Sequence, residues 1–191
     1  MEEPKKIIYL HGFNSSSFSK KSQVLDTYLK KNKYFSFESP DLSISPKEAI
    51  AEIEKKITKK SSGIVLIGSS LGGLYATFLA NKYQLKSVTI NPVVKNHIKG
   101  MEGLIGKHKN FHSDEECEFF QEDYEDLKKL GLSKLKDPLN HLCLVKMGDE
   151  VLDHKITRRY FSNSYVVCEK NGNHSYDDFL EKIPLILDYL F

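Results

Sequence analysis

At 191 residues the chain is long enough for one domain with a sizeable core and for little more. Its 28 Lys and Arg against 26 acidic residues leave a net charge of +2, which gives no reason to expect nucleic acid or a membrane surface as a partner. No apolar run reaches the ~20 residues of a membrane span, and the opening Met1-Glu2-Glu3-Pro4-Lys5-Lys6 has no apolar signal core.

Lys6-Ile7-Ile8-Tyr9-Leu10 is a continuous apolar run closed by His11-Gly12, which predicts a strand buried on both faces, as in a parallel sheet. A loop rich in Ser and Asn covers 14–19, and Val24, Leu25, Tyr28 and Leu29 then recur at helical spacing. Residues 34–38 carry aromatics and run into Ser39-Pro40-Asp41, a second strand ended by a turn. Ser45-Pro46-Lys47-Glu48 predicts a helix start: Ser45 as cap, Pro46 in the first turn, Glu48 completing a capping box. Ile50, Ile53 and Ile57 give that helix one apolar stripe. A third strand, 63–67, leads into Gly68-Ser69-Ser70-Leu71-Gly72-Gly73 and an apolar helix over 71–83. A fourth strand, 87–90, stops at Asn91-Pro92.

Residues 95–137 break the rhythm. A basic part with His97, His108 and His112 gives way to an acidic part over 114–126. Phe119, Phe120, Tyr124, Leu127 and Leu130 predict some amphipathic helix there; the aromatics either wall an acyl pocket or, the favoured reading, form the core of two short helices. Alternation then resumes with a strand over 142–147 ending at Gly148-Asp149 and a helix over 155–161. A last strand over 165–168 and the turn Asn171-Gly172-Asn173 follow. The closing helix, 176–190, has Phe179, Ile183, Ile186 and Leu190 on one face, and Pro184 predicts a kink or a late start. Cys117, Cys143 and Cys168, odd in number and widely spaced, fit a reducing cytoplasm better than a disulfide framework, and the two in expected strands read as small buried hydrophobes.

Six strands alternating with helices predict an α/β fold: one domain, 1–191, built on a doubly wound, mainly parallel sheet, with 95–137 inserted as a small helical cap. Ligands bind beyond the carboxyl ends of the strands in such sheets. His11-Gly12-Phe13, Ser70, Asp149 and His174 all fall just after strands.

Gly68-Ser69-Ser70-Leu71-Gly72, set between strand and helix, is the sequence form of a nucleophile elbow, with Ser70 at its centre. A serine hydroxyl needs a base within hydrogen-bond reach, and the base needs a carboxylate. Of seven histidines, His174 alone lies on a tight turn after a late strand. His11 is expected to shape the first loop, and His141 and His154 to be surface or packing residues. Asp149 is the leading carboxylate, with Glu150, Asp153 and Asp41 as alternatives. Ser70, Asp149, His174 has the chain order serine, acid, base found in α/β-hydrolases. Backbone N–H groups of Leu71 and Phe13 are the expected oxyanion donors. A metal on His108 and His112, four apart, with His97 or an acid as third ligand, is disfavoured against simple surface histidines.

Tyr9-Leu10-His11-Gly12-Phe13-Asn14-Ser15-Ser16, Gly68 to Gly73, Asn91-Pro92, Gly148 to Asp153 and Gly172-Asn173-His174 together resemble an α/β-hydrolase, specifically the small bacterial YqiA-type esterases. The resemblance implies esterase or thioesterase activity in the cytoplasm on a small-molecule ester or thioester, with no cofactor. It also implies Asp149 rather than Asp153 as the acid. Residues 95–137 match least well, and no motif specifies an oligomeric state.

Overall fold

The computed structural model describes residues 5–57, 63–109 and 116–191. Its main sheet has six strands in the order β2-β1-β3-β4-β7-β8, and every neighbouring pair is parallel. These strands are β1 (Lys5–Leu10), β2 (Phe35–Glu38), β3 (Ile64–Ser69), β4 (Lys86–Ile90), β7 (His141–Lys146) and β8 (Tyr165–Glu169). The helices between them are α1 (Lys20–Leu29), α2 (Pro46–Lys56), α3 (Leu71–Tyr83), α6 (His154–Tyr160) and α7 (Ile183–Leu190).

Alternation along the strands sorts the core into layers. Ile8, Leu10 and Leu66 face one side and pack with α2, α3 and α5 (Gln121–Leu130). Ile7, Tyr9, Val65, Ile67, Val88 and Leu144 face the other side and pack with α1 and α7. Cys143 and Val145 meet Phe161 just after α6. Being covered on both faces is why 64–67 of β3 and 142–145 of β7 read as unbroken apolar runs. Each fully buried Leu or Ile contributes on the order of 2 kcal/mol.

Two local expectations need correction, and for the closing helix the late start, not the kink, is what Pro184 brings. Ser45 makes no side-chain cap on α2; Ser43 Oγ instead accepts the Ser45 N–H at 3.2 Å and donates to Glu48 Oε2 at 2.7 Å, so a relay replaces the reciprocal box. On α1 the buried residues are Ser22, Leu25 and Leu29, while Tyr28 is exposed. The closing helix begins at Ile183 with Pro184 in its first turn, preceded by a 3-10 turn over Phe179–Lys182; Pro184 lacks the N–H that would continue an earlier helix through it. Phe179, Ile183, Ile186 and Leu190 are all buried, as the spacing predicts.

Between β4 and β7 lie α4 (Lys95–Ile98), a 3-10 turn over Lys99–Leu104, an antiparallel ribbon of β5 (Gly106–Lys109) and β6 (Glu116–Phe119), and α5. Tyr124, Leu127 and Leu130 form the buried stripe of α5. Phe119 is buried from the ribbon, and Phe120 is exposed. His108 sits on β5 rather than on a helix; His112 lies outside the described residues, as does the start of the acidic stretch. Among the described residues no helix is long and apolar enough to cross a membrane.

Candidate active site

β3 ends at Ser69 and α3 begins at Leu71, leaving Ser70 alone to reverse the chain. It does so at φ 54°, ψ −120°, a region that L-residues rarely enter. The turn needs bare backbone around it. A Cβ at Gly68 would lie 2.1 Å from the Gly72 carbonyl oxygen, and one at Gly72 would lie 2.1 Å from that of Leu10. Ser70 is tied to the neighbouring strand by its N–H to the Ile90 carbonyl at 3.0 Å, and its carbonyl accepts from Val93 N–H at 3.0 Å.

His174 arrives on the loop after β8. Its Nε2 lies 3.0 Å from Ser70 Oγ, and its Nδ1 lies 2.9 and 3.0 Å from the two oxygens of Asp149. A carboxylate only accepts, so Nδ1 carries the ring proton and Nε2 is free to accept from the serine hydroxyl. Asp149 comes from the loop after β7, and its side chain is 1% exposed. Burial pushes its carboxyl up, but the hydrogen bonds from His174 and from the N–H groups of Leu152 and Val151 (both 2.8 Å) outweigh burial and hold it below the usual carboxylate range. It is therefore ionised at neutral pH.

The alternative carboxylates do other work. Glu150 Oε2 accepts the backbone N–H of His174 at 2.9 Å. Asp153 caps α6 by accepting from Lys155 N–H. Asp41 accepts from Ser17 N–H at 2.6 Å. His11 is buried; its Nε2 accepts Leu42 N–H at 3.0 Å and its Nδ1 meets the Gly12 carbonyl at 2.9 Å, so it shapes the first loop. His141 is buried against Ser87 Oγ at 2.8 Å, and burial pushes its imidazole down to about 4.

The loop after β1 lies beside the serine: a Cβ at Gly12 would be 3.3 Å from Ser70 Cβ. Phe13 next to it packs edge-on against His108 (5.0 Å) and Phe119 (5.6 Å) of the β5–β6 ribbon. Leu71 N–H heads α3 and has no partner within its own helix. A cavity of about 790 Å³ opens over Ser70 and His174. His97, which sequence reasoning weighed only as a metal ligand, lines that cavity, and its Nε2 is 3.2 Å from the Asp153 carbonyl. No group of three or more His, Cys, Asp or Glu among the described residues is arranged to hold a metal.

Sequence reasoning treats Asn91 as a strand stop and as part of the family resemblance, with no role at the site. In the structure it is 1% exposed and adopts φ 41°. Its Nδ2 donates to the carbonyls of Asn173 and His174, both at 3.0 Å, and its Oδ1 accepts Lys146 N–H at 2.9 Å. One side chain thus fastens the His174 loop to the sheet. An Asn where a strand ends and a left-handed turn begins is the signal that was available.

A model of the family described as "Uncharacterised protein family (UPF0227)" matches residues 6–191. A UPF0227 protein of Shewanella woodyi is 24% identical over 187 residues, covering 94% of this chain and 96% of the relative. Among solved structures, mouse alpha/beta hydrolase domain-containing protein 10 superposes with a TM-score of 0.74 at 15% identity, over 100% of this chain and 92% of the other. Est1E from Butyrivibrio proteoclasticus, solved with ferulic acid bound, gives 0.71 at 14% identity over 98% and 90%. Likeness at this level establishes the α/β-hydrolase fold.

Proposed function

Because the chain belongs to the UPF0227 family and has the α/β-hydrolase fold, we propose that it is a serine hydrolase of short- to medium-chain carboxylic esters or acyl thioesters. One observation carries the reading: His174 Nε2 stands 3.0 Å from Ser70 Oγ while its Nδ1 is held by a buried, ionised Asp149. Ser70 is the nucleophile, His174 the base, and Asp149 the group that sets the tautomer and stabilises the imidazolium.

Ser70 Oγ attacks the substrate carbonyl carbon and gives its proton to His174 Nε2. The oxygen of the tetrahedral intermediate takes up negative charge between the N–H groups of Leu71 and Phe13, each such donor contributing about 3 kcal/mol to the barrier reduction. When the intermediate collapses, the alcohol or thiol leaves with the proton from His174. Water then gives a proton to His174, attacks the acyl-enzyme and releases the acid with Ser70 restored. These steps use side chains and backbone of this chain, with no cofactor.

Residues 95–137 act in this reading as a cap, since His97, Met101 and Leu104 from that stretch line the cavity. An odd number of widely spaced cysteines, Cys117, Cys143 and Cys168, supports a cytoplasmic location. The esterase domain of a Rhodothermus marinus protein, which shares this fold, supports ester substrates by analogy.

A fluorophosphonate should add its mass to the peptide bearing Ser70 in folded protein, and no adduct there would end the proposal. Asn91→Ala should lower kcat on 4-nitrophenyl butyrate about 10- to 100-fold with KM almost unchanged, because the His174 ring is displaced while the cavity remains. Steady-state kinetics well below the melting temperature check this; a loss confined to KM would assign Asn91 to substrate binding instead.

A further inference from the structure

The lining of the cavity over Ser70 divides by element. Val93, Met101, Leu104 and Ile156 supply apolar surface, while the start of α1 supplies Ser19 and Lys21. Lys21 is the lysine among the lining residues, and it forms no ion pair within 4.0 Å among the described residues. The carboxylate that acts on it, Asp177, is already engaged, by Lys20 at 3.7 Å and by Asn173 Nδ2 at 2.6 Å. Burial draws the Lys21 ammonium down to about 8, Asp177 offsets part of that, and Lys20 adds to it. Ser19 Oγ, beside the Tyr9 hydroxyl, is buried and completes no hydrogen bond of normal length and angle. A lysine that lines the cavity with no ion-pair partner within 4.0 Å among the described residues, next to a buried hydroxyl that completes no hydrogen bond of normal geometry, suits a bound anion.

We propose that Lys21, assisted by Ser19, is a subsite for a negatively charged group on the substrate, so that the preferred substrates are esters or thioesters carrying a carboxylate or similar anion in addition to the bond that is cleaved. This rests on the hydrolase reading for the bond broken, but the anion subsite is testable apart from it. The apolar residues Val93, Met101, Leu104 and Ile156 accommodate the hydrocarbon part of the same molecule.

Two matched ester pairs separate the acyl side from the alcohol side. The first is 4-nitrophenyl hydrogen glutarate against 4-nitrophenyl hexanoate; the second is 4-(butanoyloxy)benzoate against its methyl ester. Lys21→Met should raise KM for the anionic member of one pair by about tenfold or more and leave its neutral partner unchanged, with Lys21→Arg restoring most of the preference. An anionic-to-neutral ratio unaltered by Lys21→Met in both pairs overturns the proposal. Calorimetry of glutarate and of 4-hydroxybenzoate with wild type and Lys21→Met gives an answer that does not need turnover. Binding weakened about tenfold for either anion supports the subsite even if no ester is cleaved. Equal binding to both proteins overturns it even if Ser70 is the nucleophile.

Discussion

Ser70→Ala is expected to lower kcat/KM on an activated ester by about 10⁴- to 10⁶-fold, as removal of the nucleophile does in serine hydrolases. The fold should survive, because the hydroxyl meets His174 Nε2 and the backbone ties to Ile90 and Val93 do not involve the side chain. His174→Ala should cost a similar amount, and the double variant hardly more, since the two groups act as a unit. Stopped assays with the two single variants and the double variant, under saturating ester, measure this; a Ser70→Ala enzyme within tenfold of wild type would sink the hydrolase account. The turn geometry adds a second outcome. Ser70 is held at φ 54°, ψ −120°, a conformation that alanine also resists and that glycine adopts freely. Ser70→Gly should therefore be inactive yet more stable than wild type by about 1 kcal/mol, raising the melting temperature by about 2–4 °C. Stability gained as activity disappears is what a strained functional turn predicts.

Lys146→Met is expected to be the most destabilising of the substitutions considered, by about 2–4 kcal/mol. Lys146 Nζ lies beneath the loop that carries His174, with its side chain 5% exposed. It meets Glu169 Oε2 at 2.7 Å and Asp178 Oδ2 at 2.6 Å and sits 4.4 Å from the centre of the Tyr176 ring. Tyr176 OH donates to the same Glu169 oxygen, and Lys182 holds the other at 2.5 Å. Its methylenes are also covered: a Cβ at Gly172, where φ is +75°, would lie 2.6 Å from Lys146 Cδ. Without the ammonium, Glu169 and Asp178 face each other's charge with only Lys182 nearby. Chemical denaturation should report the loss as a shifted midpoint with an unchanged slope. The same network sets acid behaviour. Burial pushes the Glu169 carboxyl up, but hydrogen bonds from Lys146, Lys182 and Tyr176 prevail and bring it down to about 2. A lowered folded-state value means stability that is present above the unfolded value near 4.3 and is lost as pH falls from there toward 2. Wild type should lose stability steeply across that window, and Lys146→Met should lose less there because part of the stability is already gone. Equal acid slopes for the two proteins would contradict this assignment.

Strand-to-helix alternation and the residues immediately after strands were legible because they follow from local pattern. Parallel strands buried on both faces must be apolar throughout, and Gly68-Ser69-Ser70-Leu71-Gly72 has its spacing because backbone approaches to 2.1 Å of where a Cβ would sit. The meeting of Ser70, Asp149 and His174 was expected from strand ends and chain order, and the structure brings the three side chains within hydrogen-bonding distance. What pattern did not reveal depends on partners distant in sequence. Asn91 holds a loop 82 and 83 residues away, and Lys21 is unusual only because of what fails to surround it. The ribbon of β5 and β6 was missed because Gly106–Lys109 and Glu116–Phe119 are short, half-exposed and charged, with no alternation strong enough to outweigh the helical spacing that follows them. The capping box was misread because a serine two residues upstream competes for the same carboxylate.

The hydroxyl and imidazole that meet at 3.0 Å are separated by 104 residues, and all five pairings in the main sheet are parallel, so none forms through a short local hairpin. Chains of this topology refold slowly, since distant segments must be closed into loops before the contacts reward them. Helical signal should accordingly return early after dilution from denaturant, while ester turnover should return last, when β8 docks beside β7 and delivers the final loop. Enzyme activity would then serve as a clock for the completion of the sheet.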